Sequence, residues 1–337
     1  MEGLSQNRTS IFYNEFVLFG FPGIIRYRKL LVLPFLLIYI TILAGNLLVL
    51  HQIFIEPKLH SPMYFLMSIL FIANISSTTS VLPKFLVGLC LDMNQIPLVG
   101  CLCQMFFIYF LGGFESGVIM MMALDRFVAI HKPLLYNNIM TKTLIVQLVL
   151  IGTARSMLFT VPTVTLTSSI HFCRSNIILN FVCENMGLLS LACTDISKVQ
   201  LLGLMIKSFI TITDVGFLLV SYFSILHTVM VIITGEARHK ALHTCICHIV
   251  TATLIYICSL LASIVYRMHM HISYDFKNLF NAIYLLVPAA LNPLVYGIGV
   301  KEIRSSIVKT WKKQKYNLFI LSMLQGQKER EVSRIYF

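Results

Sequence analysis

The chain has 337 residues, of which 57% are hydrophobic and only 12% charged, and its formal net charge is +12 at pH 7. A soluble domain carries roughly 25% charged residues, whereas the mean hydropathy of this chain is +0.82. The composition therefore predicts a protein solvated mostly by lipid and excludes an ordinary soluble globular domain. Nothing in the sequence resembles a nucleic-acid-binding module, so we attribute the excess of basic residues to contact with anionic membrane lipids.

Seven apolar stretches are long enough to span a membrane, because roughly 20 helical residues cross the hydrocarbon layer. Six contain runs without Asp, Glu, Lys or Arg, at 30–55, 59–83, 93–114, 215–235, 241–266 and 278–300. One further span, 143–167, is apolar apart from Arg155. We expect the third span to continue to Asp125 and the fifth to begin near Ser197. The sequence thus predicts an all-α membrane protein built as a seven-transmembrane helix bundle.

Basic residues and a glycosylation signal predict the orientation of the chain. Nine basic residues follow Val300, and basic segments near membrane spans tend to stay in the cytoplasm. Asn7 begins an Asn-Arg-Thr triplet, which can be glycosylated only on the lumenal side. We therefore expect a multi-pass protein of the plasma membrane, with an extracellular N-terminus at 1–29, the helix bundle at 30–298 and a cytoplasmic region at 299–337.

The cytoplasmic region is expected to begin with a short amphipathic helix over 301–316. Ile303, Ile307, Val308 and Trp311 are placed on one face of it, and neighbouring lysines remain available to lipid head groups. The N-terminal segment lacks an uninterrupted apolar core of the usual length, so no cleavable signal peptide is expected.

The most distinctive motif is residues 121–133, with the sequence MMALDRFVAIHKP. An Asp-Arg pair is costly in lipid unless it lies at a water-facing helix end, so Asp125 and Arg126 mark where the third span ends.

The motif resembles the MAxDRYVAICxPL segment of the odorant (olfactory) receptors, a family of rhodopsin-like G-protein-coupled receptors. Further motifs similar to the family include Gly45-Asn46, Pro62-Met63-Tyr64-Phe65-Leu66, Ser221-Tyr222 and Asn292-Pro293-Leu294-Val295-Tyr296. Phe21-Pro22-Gly23 looks like the class I, or fish-like, branch.

This resemblance implies a receptor that binds a small odorant between the outer halves of its helices and activates a stimulatory, olfactory-type heterotrimeric G protein, which raises cyclic AMP. The residues implied in the switch and in G-protein coupling are Asp125, Arg126, Phe127, Tyr222, Asn292, Pro293 and Tyr296. Phe127 stands where the family usually has Tyr, and His131-Lys132 stands where it usually has Cys-His. Pro293 removes a backbone hydrogen bond, and we expect the adjacent Asn292 to satisfy the carbonyl that it frees.

The resemblance places the ligand among the third, fifth, sixth and seventh helices, with Tyr109, Gly203, Ser263 and Arg267 as ligand-binding residues. Ser263 and Arg267 are four residues apart and share a helix face. The guanidinium of Arg267 can bind a carboxylate through two parallel hydrogen bonds. Because class I members tend to recognise water-soluble odorants, a carboxylic acid is a candidate ligand. The alternatives for Arg267 are a solvated helix end and an ion pair with Asp275.

Lys207 is a second candidate partner for an anion within the bundle. Asp214 lies seven residues further along the same span, and Arg155 belongs to the neighbouring fourth span. We therefore interpret these three charged residues as a structural polar network.

A carboxylate inside the membrane is functional by default, and Glu115 matches an acidic position of the family's third span. The acidic partner that the family usually has in the second span is replaced here by Asn74. Glu115 and Asn74 are therefore a candidate weak sodium site. The alternative is packing, through a hydrogen bond from Glu115 to Asn74 or to Ser76. No other metal and no cofactor is expected.

Four cysteines fall on the predicted outer side, which is an oxidising compartment: Cys101, Cys173, Cys183 and Cys193. Sequence alone allows three pairings of four cysteines. Cys103, two residues after Cys101, is an alternative to Cys101 as a disulfide partner. The resemblance implies the pairs Cys101 with Cys183 and Cys173 with Cys193.

A channel or transporter would call for internal repeats or a continuous polar pore, and the sequence contains neither. An enzyme is not expected, because there is no H-E-x-x-H motif, nucleophile elbow or phosphate-binding loop.

Overall fold

The computed structural model describes residues 13–231, 234–267, 272–313 and 315. Within these residues, seven helical stretches are long and apolar enough to cross a membrane, which confirms the predicted seven-helix, multi-pass architecture. The glycosylation acceptor Asn7 lies outside the described residues.

The first spanning stretch begins as a 3-10 helix, Pro22–Leu31, and continues as helix α1, Val32–Ile55. The other spanning helices are α2 Pro62–Leu91, α3 Leu98–His131, α4 Lys142–Ser168, α5 Ser197–Val231, α6 Gly235–Arg267 and α7 Tyr274–Gly299. A shorter helix, α8, covers 301–313. Each predicted span lies inside or close to the helix that forms, and α5 begins at Ser197 as expected.

Local sequence explains where several helices begin. Pro62 occupies the first position of α2, where its missing N–H would have no helical partner in any case. Thr141 caps α4 by accepting a hydrogen bond from the backbone of Leu144 at 3.2 Å, and Ser273 caps α7 in the same way through Phe276 at 3.3 Å. Such caps satisfy backbone donors that the first turn leaves open.

A small three-stranded sheet covers the end of the bundle at which α3 begins. Strand β1, Glu15–Leu18, pairs antiparallel with β2, Gln95–Pro97, and parallel with β3, Ile177–Ile178. The elements predicted from the sequence are all helices, so this sheet was not predicted. Its inward residues, among them Phe16, pack in one buried cluster with two cysteines of the disulfides.

Two disulfides lie at this same end, which we call the disulfide end. Cys101 is bonded to Cys183 and Cys173 to Cys193, with Cα–Cα distances of 5.3 and 5.7 Å. This is the pairing that the family resemblance implies, and Cys103 is a free, exposed cysteine. We call the opposite end of the bundle, which carries Asp125 and Arg126 near the end of α3, the Asp-Arg end.

Helix α7 contains Pro293, and the carbonyl that it frees is satisfied from another helix. Asn46 of α1 donates a hydrogen bond to the carbonyl oxygen of Ala289, four residues before Pro293, at 3.0 Å. The predicted partner, Asn292, instead points its amide at the side chain of Asn74, with an N–O distance of 3.5 Å. The expectation that Asn292 fills this role was wrong, because the freed carbonyl faces α1.

Helix α8 packs against α1 through polar contacts. The side chains of Ser306 and Thr310 donate to Gln52 at 2.9 and 3.0 Å, and Lys309 pairs with Glu56 at 3.1 Å. Ile303 and Ile307 pack on the core, whereas Val308 and Trp311 are 47% and 71% exposed. The single apolar face predicted for this helix is therefore divided into a buried part and an exposed part.

Candidate functional site

A cavity of about 250 Å³ lies near the disulfide end, lined by residues of α2 to α7 and by the loop between α4 and α5. Tyr109, Gly203 and Ser263, three of the four predicted ligand-binding residues, line it. Helix α6 ends at Arg267, but the side chain of Arg267 lies outside the described residues, and its role stays a prediction. Asp275, the alternative partner of Arg267, accepts a hydrogen bond from the backbone of Gly23 at 2.9 Å.

Glu184 forms part of the cavity wall on the loop side. The hydroxyl of Tyr109 donates to Glu184 at 3.2 Å and accepts from the backbone N–H of Asn185 at 3.1 Å. Glu184 also caps the short helix Asn185–Leu189 through the N–H of Gly187 at 3.2 Å. Burial raises the pKa of the Glu184 carboxyl, and the bonds from Gly187 and Tyr109 offset part of that effect. Glu184 was not predicted from the sequence, although its position directly after Cys183, a predicted disulfide cysteine, is a signal that could have located it.

Lys207 also lines the cavity, contrary to its predicted place in a network with Asp214. Its ammonium group donates to the carbonyl of Ser259 at 3.1 Å and contacts the hydroxyl of Ser263. Asp214 instead accepts two bonds from Arg155, at 2.6 and 2.7 Å. Seven residues of helix separate Lys207 from Asp214 by about 10 Å along the axis, so the two residues share a face of α5 but make these contacts at different levels of the bundle.

The charged network that does form connects three helices at the cavity wall, where Arg155 and Tyr256 line the cavity. Arg155 of α4 and Asp214 of α5 make the ion pair, and the hydroxyl of Tyr256 of α6 donates to Asp214 at 3.0 Å. Asp214 is almost fully buried. Leaving one partner of such a pair alone is strongly destabilising, so the network fixes the relative positions of the three helices.

Glu115 lies deeper in the same cavity and is buried. It accepts a hydrogen bond from Ser77 at 3.5 Å. The predicted partners bond elsewhere: the Asn74 amide donates to Asn46 at 3.1 Å, and the Ser76 hydroxyl donates to the backbone of Ile72 at 2.8 Å. The expected contacts of Glu115 with Asn74 and Ser76 were therefore wrong, because Ser77 is the α2 residue that faces it.

The Asp-Arg end contains a buried carboxylate with two partners. Arg126 donates to one oxygen of Asp125 through Nε at 3.0 Å and through Nη2 at 2.5 Å. Tyr136, in the segment after α3, donates to the other oxygen at 2.7 Å. Burial, together with the charge of Asp125, raises the pKa of Tyr136. The guanidinium is thus held against its own helix in this conformation.

Two residues that depart from the family motif stack on each other nearby. The rings of Phe127 and His131 have centroids 4.2 Å apart. The Nε2 atom of His131 lies 3.0 Å from the hydroxyls of Ser224 and Thr228 on α5. His131 therefore connects α3 to α5 through contacts that a cysteine could make only weakly.

The remaining predicted switch residues belong to two neighbouring clusters at this end. Tyr222 packs with Phe127 between α3, α5 and α6. Tyr296 is fully buried, with its ring centroid 6.0 Å from that of Phe71 and 5.6 Å from that of His248. The approach of α1 to α7 is tight here, since a Cβ added at Gly45 would lie 3.0 Å from the ring of Pro293.

Comparison with known proteins gives the family. The olfactory receptor family profile matches residues 35–314. Human (Homo sapiens) olfactory receptor 52H1 is 34% identical over 307 residues, which cover 91% of this chain and 98% of the relative. Human olfactory receptor 51L1 is 37% identical over 293 residues, covering 87% and 93% of the two chains.

The fold has a counterpart among solved structures. The crystal structure of squid rhodopsin aligns with a TM-score of 0.70 over 85% of this chain and 86% of that chain, at 13% sequence identity. At this identity the likeness concerns the fold alone. With the family profile and the human relatives, these findings establish that the chain belongs to the olfactory receptor family of G-protein-coupled receptors.

Proposed function

We propose that this chain binds a small odorant in the cavity near the disulfide end and then activates a stimulatory, olfactory-type heterotrimeric G protein that raises cyclic AMP. The observation that carries the proposal is the cavity itself, which brings Tyr109, Gly203 and Ser263 together in a member of the olfactory receptor family. Ligand pockets combine apolar walls with a few polar groups that fix orientation, and this cavity has both.

The disulfide end is proposed to be extracellular, at the plasma membrane. Disulfides persist in oxidising compartments, and the opposite end carries the basic helix α8. The exposed Trp311 of α8 and its lysines, Lys309, Lys312 and Lys313, would then contact lipid head groups in the cytoplasmic leaflet. Asp125 and Arg126 face the G protein in this orientation.

A cyclic-AMP reporter screen of carboxylic acids, alcohols and aldehydes tests the proposed function in transfected cells. We expect at least one class to raise cyclic AMP, with no response in cells that lack the receptor. Receptor that reaches the cell surface but responds to none of the three classes would contradict the proposal.

Filling the cavity should abolish the odorant response. A Cβ added at Gly203, in the cavity wall, meets no atom within 4 Å, and the same holds for Gly216, which is on the same helix and outside the cavity lining. Gly203→Phe should therefore fold but displace the ligand. If the new phenyl ring keeps only two methylene groups of the odorant out of the cavity, the lost burial, at about 0.8 kcal/mol for each group, lowers potency roughly tenfold. Gly216→Phe is the matched control. Equal dose–response curves for the two variants would place the odorant elsewhere.

Arg267 is proposed to favour odorants with a negatively charged group. Arg267→Gln should weaken the response to acids more than the response to neutral odorants. A hydrogen bond to a charged group is worth roughly 1.5–3 kcal/mol, or about ten- to a hundredfold in potency. Arg267→Lys keeps the charge but not the forked donors, so its rank between wild type and Gln separates charge from geometry. Equal shifts for acidic and neutral odorants in both variants would make Arg267 a structural helix end.

A further inference from the structure

Lys207 is a charged side chain in the cavity wall, at the side where α5 faces α6. Its Nζ atom donates to the Ser259 carbonyl at 3.1 Å and contacts the Ser263 hydroxyl, both on α6. The same atom lies 5.8 Å from the centroid of the Tyr284 ring on α7. The ammonium group is therefore directed across the cavity and not out toward the lipid.

The two α6 oxygens that Lys207 contacts are neutral, one a carbonyl and one a hydroxyl. A carboxylate in their place would add a Coulombic attraction, which is far stronger in a partly buried site than in water. A ligand carrying a carboxylate can therefore compete for the ammonium group in a way that a neutral ligand cannot. The hydroxyl of Ser263 donates its single proton to the Ser259 carbonyl at 2.9 Å, and by rotating away from that carbonyl it can donate a second hydrogen bond to such a group.

The other charged residues that line the cavity, Arg155, Glu184 and Glu115, already have hydrogen-bond partners, which for Glu115 is the hydroxyl of Ser77. The guanidinium of Arg155 is already bound by both oxygens of Asp214. Glu184 accepts bonds from Tyr109 and Gly187. Burial raises the pKa of Glu184, whereas the positive charge of Lys207 acts to lower it, so the ammonium group already stabilises a carboxylate on this side of the cavity.

The rest of the wall suits a hydrocarbon chain. Ile108, Phe159, Ile206 and Ile210 line the cavity, and the space beside Gly203 is open. An alkyl chain gains free energy with each methylene group that it buries against such side chains. A ligand with one charged end and one aliphatic end therefore matches the distribution of groups in the wall.

We propose that Lys207 selects the ligand class of this receptor: its ammonium group, assisted by Ser263, binds the carboxylate of an aliphatic acid whose alkyl chain extends into the apolar part of the cavity. The assignment rests on the proposed function, since the same cavity receives the odorant. It differs from the prediction for Arg267 in placing the anion inside the cavity, between α5 and α6.

Binding of octanoate and of its neutral counterpart methyl octanoate to the purified full-length receptor tests the assignment. Thermal unfolding is followed at increasing concentrations of each probe for wild type, Lys207→Gln, Lys207→Arg and Lys198→Gln. Lys198 is the matched control, an exposed lysine at the start of the same helix and outside the cavity lining.

We expect Lys207→Gln to need about ten to a hundred times more octanoate for the same stabilisation, while Lys207→Arg retains most of it and Lys198→Gln behaves as wild type. Methyl octanoate should stabilise all four proteins equally. Octanoate affinities of wild type and Lys207→Gln within about twofold of each other, or wild type that binds the ester as tightly as the acid, would overturn the assignment.

A second measurement needs no variant. Octanoate should slow the reductive methylation of Lys207 in the wild-type receptor, detected by peptide mass spectrometry, and leave Lys198 unaffected. Equal labelling of Lys207 with and without octanoate would argue against the assignment as strongly as the binding data.

Cyclic-AMP measurements separate this assignment from the proposed function. Octanoate that binds through Lys207 without raising cyclic AMP supports the assignment and contradicts the proposed coupling. Neutral odorants that raise cyclic AMP, while octanoate binds wild type and Lys207→Gln equally, support the coupling and refute the assignment.

Discussion

Replacing Arg126 with Ala should abolish odorant-driven cyclic AMP while leaving most of the receptor at the cell surface. In the structure the guanidinium is bound to the adjacent Asp125 and so is held against α3. An arginine has five donors on a long stem, so it can exchange Asp125 for backbone carbonyls of a G protein when the bundle rearranges. Alanine removes those donors. Surface labelling and a cyclic-AMP reporter, measured on the same cells, test both halves of the expectation.

Two further variants sharpen this test. Arg174→Ala removes an exposed arginine at the disulfide end and should signal as wild type. Asp125→Asn removes the charge that holds Arg126, so it should raise the ligand-independent signal. Arg126→Ala receptor that reaches the surface and signals at wild-type level would mean that the Asp-Arg motif does not contact the G protein.

The helices could be predicted well because one physical constraint dominates them. A segment that crosses lipid must satisfy its backbone hydrogen bonds internally and exclude charge. Uncharged runs therefore coincide with helices. The run 278–300, for example, ends one residue after Gly299, the last residue of α7. The disulfide pairing followed from the family motif and not from this constraint.

The partners of buried polar side chains could not be predicted, because they depend on which helix faces which. Spacing along α5 places Lys207 and Asp214 on one face, yet one faces α6 and the cavity while the other faces Arg155. Likewise, Ser77 and Ser76 are neighbours in sequence, but a turn of about 100° between successive helical residues points only one of them at Glu115.

The small sheet could not be predicted from the sequence for a different reason. Its strands are four, three and two residues long, and their partners are far apart in the chain. A strand of this length has no periodic pattern to distinguish it from a loop. The sheet depends on the packed disulfide end, where Phe16 of β1 and Ile178 of β3 are fully buried, so tertiary contacts decide its formation.

Breaking the disulfide between Cys101 and Cys183 should retain the receptor inside the cell. This bond joins the start of α3 to the loop that carries Glu184, over a sequence separation of 82 residues. Removing a native disulfide costs about 2–5 kcal/mol in small domains, and here it would also free the loop that lines the proposed ligand cavity. Cys101→Ser and Cys183→Ser should therefore each lower surface labelling severely.

The double variant decides whether the two cysteines act as one bond. If they are bonded to each other, either change breaks the bond, so Cys101→Ser combined with Cys183→Ser should be little worse than each alone. Cys103→Ser is the matched control, because Cys103 is free and exposed two residues from Cys101. It should reach the surface as wild type. Additive losses in the double variant, or a loss in Cys103→Ser equal to that of Cys101→Ser, would mean that a different pairing forms in the cell.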